Sequence, residues 1–244
     1  ITHNAFAETM DQSWKKDVVP ADMRFLRKNI IERDNAATYD GRPLLNFWWV
    51  HAFVYIEEER AKLMDEWGSY KAFVEDIRSQ LTVDGVEPFL VANMGPAATA
   101  YEDTEFRTMA SQWDGISTWT GPALGEHDGG DTYEWEEVVH DLDEQYTATR
   151  EFTTNHDMEF FPTVFPGFDD RANTRWGDDR QIPRSVDRFK ELLSTAEEYA
   201  TTDMINIATW NDWAEGSQIE PGSFRENDYG TDYIEVLEDF QTPK

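Results

Sequence analysis

Cysteine is absent from the 244 residues, which removes disulfides and thiolate metal ligands from any account of the fold. No apolar run approaches the roughly 20 residues that a membrane-spanning helix needs. No internal repeat, low-complexity linker or compositional break divides the chain. Positive charge is scarce: 50 Asp and Glu face 21 Lys and Arg, for a net charge of −29. Lysine stands only at Lys15, Lys16, Lys28, Lys62, Lys71, Lys190 and Lys244, so arginine supplies most of the cations. Phosphate backbones call for a basic stripe, and none is present, which excludes nucleic acid as a partner. The chain opens on Ile1 in polar, helix-like sequence without a signal-peptide apolar region, so the native polypeptide is expected to begin upstream.

What is present is acid and aromatic. The acids are spread along the chain with no acidic tail. So large a charge destabilises a compact state in dilute salt by self-repulsion, whereas at molar salt the Debye length falls to about 3 Å and the repulsion is screened. The pattern reads as a salt-adapted protein, with an ordinary acidic protein as the plain alternative. It points to the exterior or cell surface of a halophile, a salt-rich cytoplasm being the other setting it fits. Ten Trp, nine Tyr and 15 Phe argue against disorder. Most of these rings should fill a core; some are available as platforms for flat apolar ligand faces such as those of sugars.

Short apolar runs alternate with helical stretches. The candidate strands are Leu44–Val50, Glu87–Ala92, Gly115–Trp119, Glu159–Phe165 and Met204–Trp210, several of them nearly continuous apolar runs, as in strands buried on both faces. The candidate helices are Ala21–Arg33 after Pro20, Ser69–Gln80, Thr104–Gln112, Tyr133–Asn155 and Arg184–Thr201. In the last, Val186, Phe189, Leu192, Leu193 and Ala196 form one stripe opposite a face of acids. Strand followed by helix, repeated, implies parallel strands joined by crossovers. Five strands cannot close an eight-stranded barrel, so periodicity leaves a small open α/β sheet or the later part of a barrel. Residues 1–43 read as a helical or irregular lead-in, with a turn at Tyr39-Asp40-Gly41-Arg42-Pro43, and 44–244 as one α/β domain.

The segment Thr209–Pro221 (TWNDWAEGSQIEP) follows a buried strand at its C-terminal end, where parallel α/β folds gather their active-site loops. Asp212 and Glu215 would face opposite sides of a continuing strand but converge in a turn, which Gly216 permits. Glycoside cleavage needs such a pair, one carboxyl protonated to donate to the leaving oxygen and one ionised as base or nucleophile. Proximity, with partial burial by Trp210 and Trp213, would push the two pKa values apart. The plain alternative is a solvated acidic loop.

Trp210-Asn211-Asp212-Trp213-Ala214-Glu215-Gly216-Ser217-Gln218-Ile219-Glu220-Pro221 resembles the W-N-E-W-x-E-G-[ST]-x-I-E-P signature of the endo-α-mannosidase-like glycoside hydrolases, family 99. The related WbsX-like polysaccharide-biosynthesis domain carries a similar signature. Phe161–Arg171 (FPTVFPGFDDR) is similar to that group's P-x-V-x-P-G-[WF]-D-[DN] block, Asp40–Pro43 to its D-G-[RK]-P lead-in, and Tyr229-Gly230 to the motif after the acid loop. The order agrees from about residue 39 to 236. The resemblance implies a (β/α)8 barrel whose first strands lie upstream of Ile1 or are missing. It also implies retaining cleavage of an α-mannoside-type linkage without metal or cofactor, Asp212 assisting the sugar's own 2-hydroxyl and Glu215 acting as general acid/base. Asp212 departs from the pattern, which has Glu there. Losing a methylene withdraws the carboxylate by about 1.5 Å, and a misplacement of about 1 Å can cost on the order of a hundredfold in rate.

Other candidates are softer. Trp48 and His51 near the end of the first strand, and Trp119 at the end of the third, could contact a sugar or belong to core and rim. Asp169, Asp170 and Arg171 after Pro166-Gly167 are either polyol ligands or a turn with a local ion pair. Glu57–Arg60 (EEER) and Tyr133–Glu137 (YEWEE) read as solvated helix faces. His127, Asp128 and Asp131 lie in a glycine-rich loop that could hold a metal, although no metal is expected. The expected activity is a glycoside hydrolase on mannose-type or related glycans through Asp212 and Glu215, with Trp210 and Asn211 in contact with the sugar. The alternatives are a glycan-binding or cell-surface structural domain that kept the barrel and lost turnover, and a protein of surface-polysaccharide biosynthesis. The partner is a glycan or polysaccharide; the oligomeric state is open.

Overall fold

The computed structural model describes residues 2–3, 19–95, 98–119, 134–171, 180–225 and 227–241, with the backbone alone at 2, 3 and 227. Its first elements are β1 (Thr2–His3), α1 (Val19–Leu26), β2 (Thr38–Tyr39) and β3 (Arg42–Phe47). There follow α2 (Ala52–Tyr55), α3 (Glu57–Trp67), α4 (Tyr70–Leu81), β4 (Phe89–Met94), α5 (Thr104–Ala110) and β5 (Gly115–Thr118). Next come α6 (Trp135–Asn155) and β6 (Glu159–Phe161). The chain clusters into two units, one holding the described residues through 95 with 99–117 and 152–159, the other 98, 118–151 and 160 onward.

In the first unit the main sheet runs in the order β1-β3-β4-β5, with β1 parallel to β3 and β3 parallel to β4. Leu44 pairs with Phe89 and Phe47 with Ala92. Alternation sends Leu45 and Phe47, Leu90, Ala92 and Met94, and Ile116 into a core with Phe73, Ile77 and Leu81 of α4 and Phe106 and Met109 of α5. Three of the intervening residues are polar and bonded to one another: Asn93 Nδ2 donates to Ser117 Oγ (3.1 Å), which donates to Asn46 Oδ1 (3.1 Å). Asp114, just before β5, accepts from Arg42 (3.1 Å), Arg78 (2.6 Å) and the Leu90 amide (2.8 Å), tying β3, α4 and β4 together. Ser69 and Asp103 cap α4 and α5 with side-chain oxygens on first-turn amides.

Several sequence expectations are redrawn here. The strand expected over Leu44–Val50 begins at Arg42 and ends at Phe47, because Trp49 takes a positive φ of 60° and the Val50 amide turns to the Asn93 carbonyl (3.1 Å). The lead-in contains β1 and a tight hairpin pairing Tyr39 with Arg42. Asp40 and Gly41 at its tip both have positive φ, 49° and 72°, which an Asp-Gly pair tolerates. The EEER face is only partly solvated: Glu57 and Glu58 are exposed, whereas Glu59 is 4% exposed and bonds Lys62 at 3.1 Å.

The second unit continues with β7 (Thr163–Val164), β8 (Phe168–Asp169), β9 (Gln181–Ile182), α7 (Val186–Tyr199), β10 (Asn206–Ile207), β11 (Gly222–Phe224), β12 (Asn227–Gly230) and α8 (Asp232–Gln241). Pro162, which has no amide to donate, breaks the strand expected over Glu159–Phe165 into β6 and β7. The strand expected over Met204–Trp210 keeps only Asn206–Ile207, parallel to Thr163–Val164. The α7 stripe buries Phe189, Leu192, Leu193 and Ala196, and its N-cap Ser185 accepts from the Arg188 amide (3.3 Å). Tyr146 of α6 is buried and donates to the Thr163 carbonyl at 2.6 Å.

Candidate functional site

Beyond the C-terminal ends of the parallel pair β7 and β10 run the two segments that carried the strongest sequence patterns, Phe165–Arg171 and Thr209–Pro221. The second closes on itself. The Thr209 amide donates to the Ser217 carbonyl (2.8 Å) and the Ile219 amide to the Thr209 carbonyl (2.9 Å). Within it, Asp212 to Gly216 form a turn. The Asp212 amide donates to Thr209 Oγ1 (2.9 Å), and Asp212 Oδ1 accepts from the amides of Ala214 (3.1 Å) and Glu215 (3.2 Å). Asp212 therefore caps the very turn that carries Glu215. Gly216 closes the turn at φ 61°, and a Cβ there would lie 2.7 Å from the Phe224 ring and 3.2 Å from Asp169 Cβ.

Groups outside the turn hold it. The Asp169 amide donates to the Glu215 carbonyl at 2.7 Å. Arg184, between β9 and α7, donates to the Gly216 carbonyl and to the Gln218 carbonyl (2.7 Å), its guanidinium lying over the rings of Tyr229 (4.5 Å) and Tyr233 (4.9 Å). Gly167 lets Arg184 approach: an added Cβ would meet Arg184 Cα at 2.7 Å. Sequence reasoning passed over Arg184; the glycines were the available signal.

The Asp-Asp-Arg run is built from ion pairs. Asp169 binds Arg171 (3.0 and 2.8 Å) and Arg225 (3.1 and 2.5 Å). Burial alone would raise its pKa, but the two guanidiniums outweigh that and hold it below the usual carboxylate range. Asp170 is fully buried, with Arg180 Nε and Nη2 on Oδ2 (2.9 and 2.7 Å) and the Arg180 amide on Oδ1 (2.7 Å). These contacts fasten β8 to β9, whose strands pair antiparallel.

Trp210 is 54% exposed, Asn211 is exposed, and Asp212 and Glu215 are part-buried, so the tip of the turn faces solvent. Trp119 is buried, its ring edge-on to Phe165 and Phe168 (6.2 Å each), which makes it a wall beneath that segment. Trp48 and His51 belong to the first unit and are part-buried. His51 Nδ1 accepts from the Gly95 amide (3.0 Å), joining the segments after β3 and β4, and burial lowers its pKa from 6.5 to about 4. The ring is neutral at pH 7 with its proton on Nε2. His127, Asp128 and Asp131 lie outside the described residues. Among the described residues, His140, Asp141 and Glu144 bring ligand atoms within 4.8 Å of one another along α6, with His140 and Glu144 both exposed. No described helix is long and apolar enough to cross a membrane.

Residues 83–237 match the family model described as Glycosyltransferase WbsX. A stretch of 77 residues, 32% of the chain, is 30% identical to the glycoprotein endo-alpha-1,2-mannosidase-like protein of Danio rerio and spans 17% of it. The uncharacterized protein WxcX of Xanthomonas campestris pv. campestris is 26% identical over 98 residues, 38% of this chain and 13% of that protein. Among solved structures, a glycoside hydrolase-like protein aligns with TM-score 0.68 and 15% identity, over 98% of this chain and 66% of that one. The GH99 endo-alpha-mannosidase from Bacteroides thetaiotaomicron aligns with TM-score 0.59 and 16% identity, over 92% of this chain and 62% of that one. The chain thus spans under a fifth of these curated relatives and under two thirds of these structures. The likeness shows the fold, a partial (β/α)8 barrel, and sets aside the small open sheet.

Proposed function

The chain belongs to the WbsX glycosyltransferase family, and from that premise we propose that it is a glycoside hydrolase-like protein acting on mannose-type or related glycans, with Asp212 and Glu215 at its centre. One observation carries the reading. The turn bearing the two carboxylates stands past a parallel strand's C-terminal end and is held from outside by the Asp169 amide on Glu215 (2.7 Å) and by Arg184 on Gly216. A solvated acidic loop has no need of a part-buried guanidinium and two close-packed glycines to fix its backbone.

In this reading Glu215 donates a proton to the leaving glycosidic oxygen and then takes one from the incoming hydroxyl or water. Asp212 supports the sugar's 2-hydroxyl as it attacks the anomeric carbon. Catalysis of this kind needs the acid within about 3 Å of its oxygen, and a backbone fixed on both sides of Glu215 supports such positioning. The mannosidase names of the relatives favour a mannose-type glycan. The glycosyltransferase name of the family favours a place in building polysaccharide.

A second reading has its own support. Asp212 Oδ1 accepts two amides of its own turn, at 3.1 and 3.2 Å, so part of the carboxylate's capacity stays local. A glutamate, one methylene longer, would reach further from the turn. That favours a domain that binds glycan with little turnover. Two substitutions decide. Glu215→Gln should lower hydrolysis of a defined mannoside by on the order of 10²–10⁴-fold with the fold intact by circular dichroism. Unchanged hydrolysis would remove the assignment. Turnover that appears only in Asp212→Glu would select the binding reading for the present chain.

A further inference from the structure

Trp213 is held by one short segment at both ends of its indole. Its Nε1–H donates to Glu220 Oε2 at 2.9 Å, and its far edge lies against Gly222, where an added Cβ would come within 2.9 Å of Cη2. Glu220 is itself fixed on both backbone sides: its amide donates to the Trp210 carbonyl (2.8 Å), and its carbonyl accepts from the buried Tyr229 hydroxyl (2.9 Å). The Phe224 ring stands beside the indole at 6.4 Å. Even so, 38% of Trp213 remains exposed, next to the more exposed Trp210. Fixing a large apolar ring at the surface loses side-chain entropy and leaves apolar area in water. With the N–H already satisfied, the exposed part of the ring offers dispersion and C–H contact and little else. That suits a ligand with an apolar face and a hydroxylated edge, the form of a pyranose.

The stretch that carries the ring also carries Asp212, Glu215 and Glu220, in a chain of net charge −29. A uronate or phosphorylated sugar laid on the indole would bring like charge to this turn, and like charges oppose binding. We propose that Trp213 is a stacking platform for a neutral pyranose and that Glu220 is its positioning residue, an assignment that rests on the glycan reading above. Glu220 acts through the indole alone: it sets the plane of the ring and needs no contact with the sugar.

The test uses the full chain in about 0.1 M NaCl, where a Debye length of about 10 Å leaves like-charge repulsion in force, carrying Glu215→Gln so that ligand stays intact, with α-1,2-mannobiose as the neutral probe and a mannuronate disaccharide as the charged one. The Trp213 indole N–H resonance, assigned by its loss in Trp213→Phe, is followed together with the affinity. Mannobiose should move that resonance, and mannuronate should bind at least tenfold more weakly. Glu220→Ala should lower mannobiose affinity about tenfold, as expected for loss of one orienting hydrogen bond. Glu220→Gln, which keeps an acceptor for the indole, should restore most of it; a merely structural role predicts no such rescue of binding at equal stability. A silent Trp213 resonance in the presence of mannobiose, equal affinity for the two disaccharides, or unaltered affinity in Glu220→Ala would each overturn the proposal. Cleavage by the unsubstituted chain is scored separately. A shifted Trp213 without cleavage removes hydrolysis and keeps the platform, and cleavage with a silent Trp213 does the reverse.

Discussion

Gly216 joins the two motif segments through a single missing side chain. Its φ is 61°, and Phe224 leaves no room for a Cβ. Gly216→Ala should destabilise the protein by about 1–3 kcal/mol in urea unfolding and reduce glycan binding with it; unchanged stability would mean that the turn has slack. His51 gives a pH signature. Its neutral ring accepts from Gly95, and burial holds its pKa at about 4 against 6.5. The unfolded chain takes up that proton below about pH 6.5, while the folded chain resists until about pH 4. The stabilisation is therefore full above pH 6.5 and is lost as pH falls through that window, by about 2–3 kcal/mol. His51→Asn, which cannot titrate, should lose correspondingly less unfolding free energy between pH 7 and 4.5, and parallel pH curves for the two chains would contradict the assignment. At this scale the sequence singled out Asp212 and Glu215 as candidates because they follow an apolar run and sit among tryptophans. It concealed Arg184 and Glu220, whose meaning lies in what they touch: Arg184 reaches carbonyls 32 and 34 residues away, and Glu220 the indole seven residues back.

Among the elements, helices with a clear apolar stripe were legible. Ser69–Gln80 and Arg184–Thr201 became Tyr70–Leu81 and Val186–Tyr199, each with serine as its cap. Of the helix Glu57–Trp67 only Glu57–Arg60 was legible, as a solvated face, because charge masks its periodicity, and its one deeply buried acid, Glu59, is visible only once Lys62 is seen beside it. Strands beyond Phe161 were overestimated in length because an apolar run does not show where the backbone leaves its ladder, although Pro162 marked one such point. Asp114 joins several elements, binding Arg42, Arg78 and the Leu90 amide from outside its own strand. Removing it leaves two part-buried guanidiniums without their carboxylate, with the Glu87 and Pro88 carbonyls still bonded to them, so Asp114→Ala should cost about 2–4 kcal/mol. A loss below about 1 kcal/mol in denaturant unfolding would show the cluster to be a solvated surface pair.

For the whole molecule, the charge of −29 remains the dominant feature, and we propose that it marks a protein that works in strong salt. Between about 0.1 and 1 M NaCl the Debye length falls from about 10 to 3 Å. The midpoint of thermal unfolding should rise across that range; a flat or falling midpoint would remove the salt-adapted reading. Alternation of strand and helix leaves an open sheet or part of a barrel, since a partial set of strands carries no closure signal; the (β/α)8 expectation comes from the motif resemblance, and the likeness to known structures bears it out. The central claim, that the turn from Asp212 to Glu215 cleaves glycosidic bonds, is reached most directly by following the anomeric proton region of an α-mannoside by NMR in molar salt, with the unsubstituted chain and with Glu215→Gln side by side. The account predicts new reducing-end signals, α-configured when first formed, that grow with the unsubstituted chain and are absent with Glu215→Gln. Signals growing at the same rate with both chains, or with neither, would contradict it.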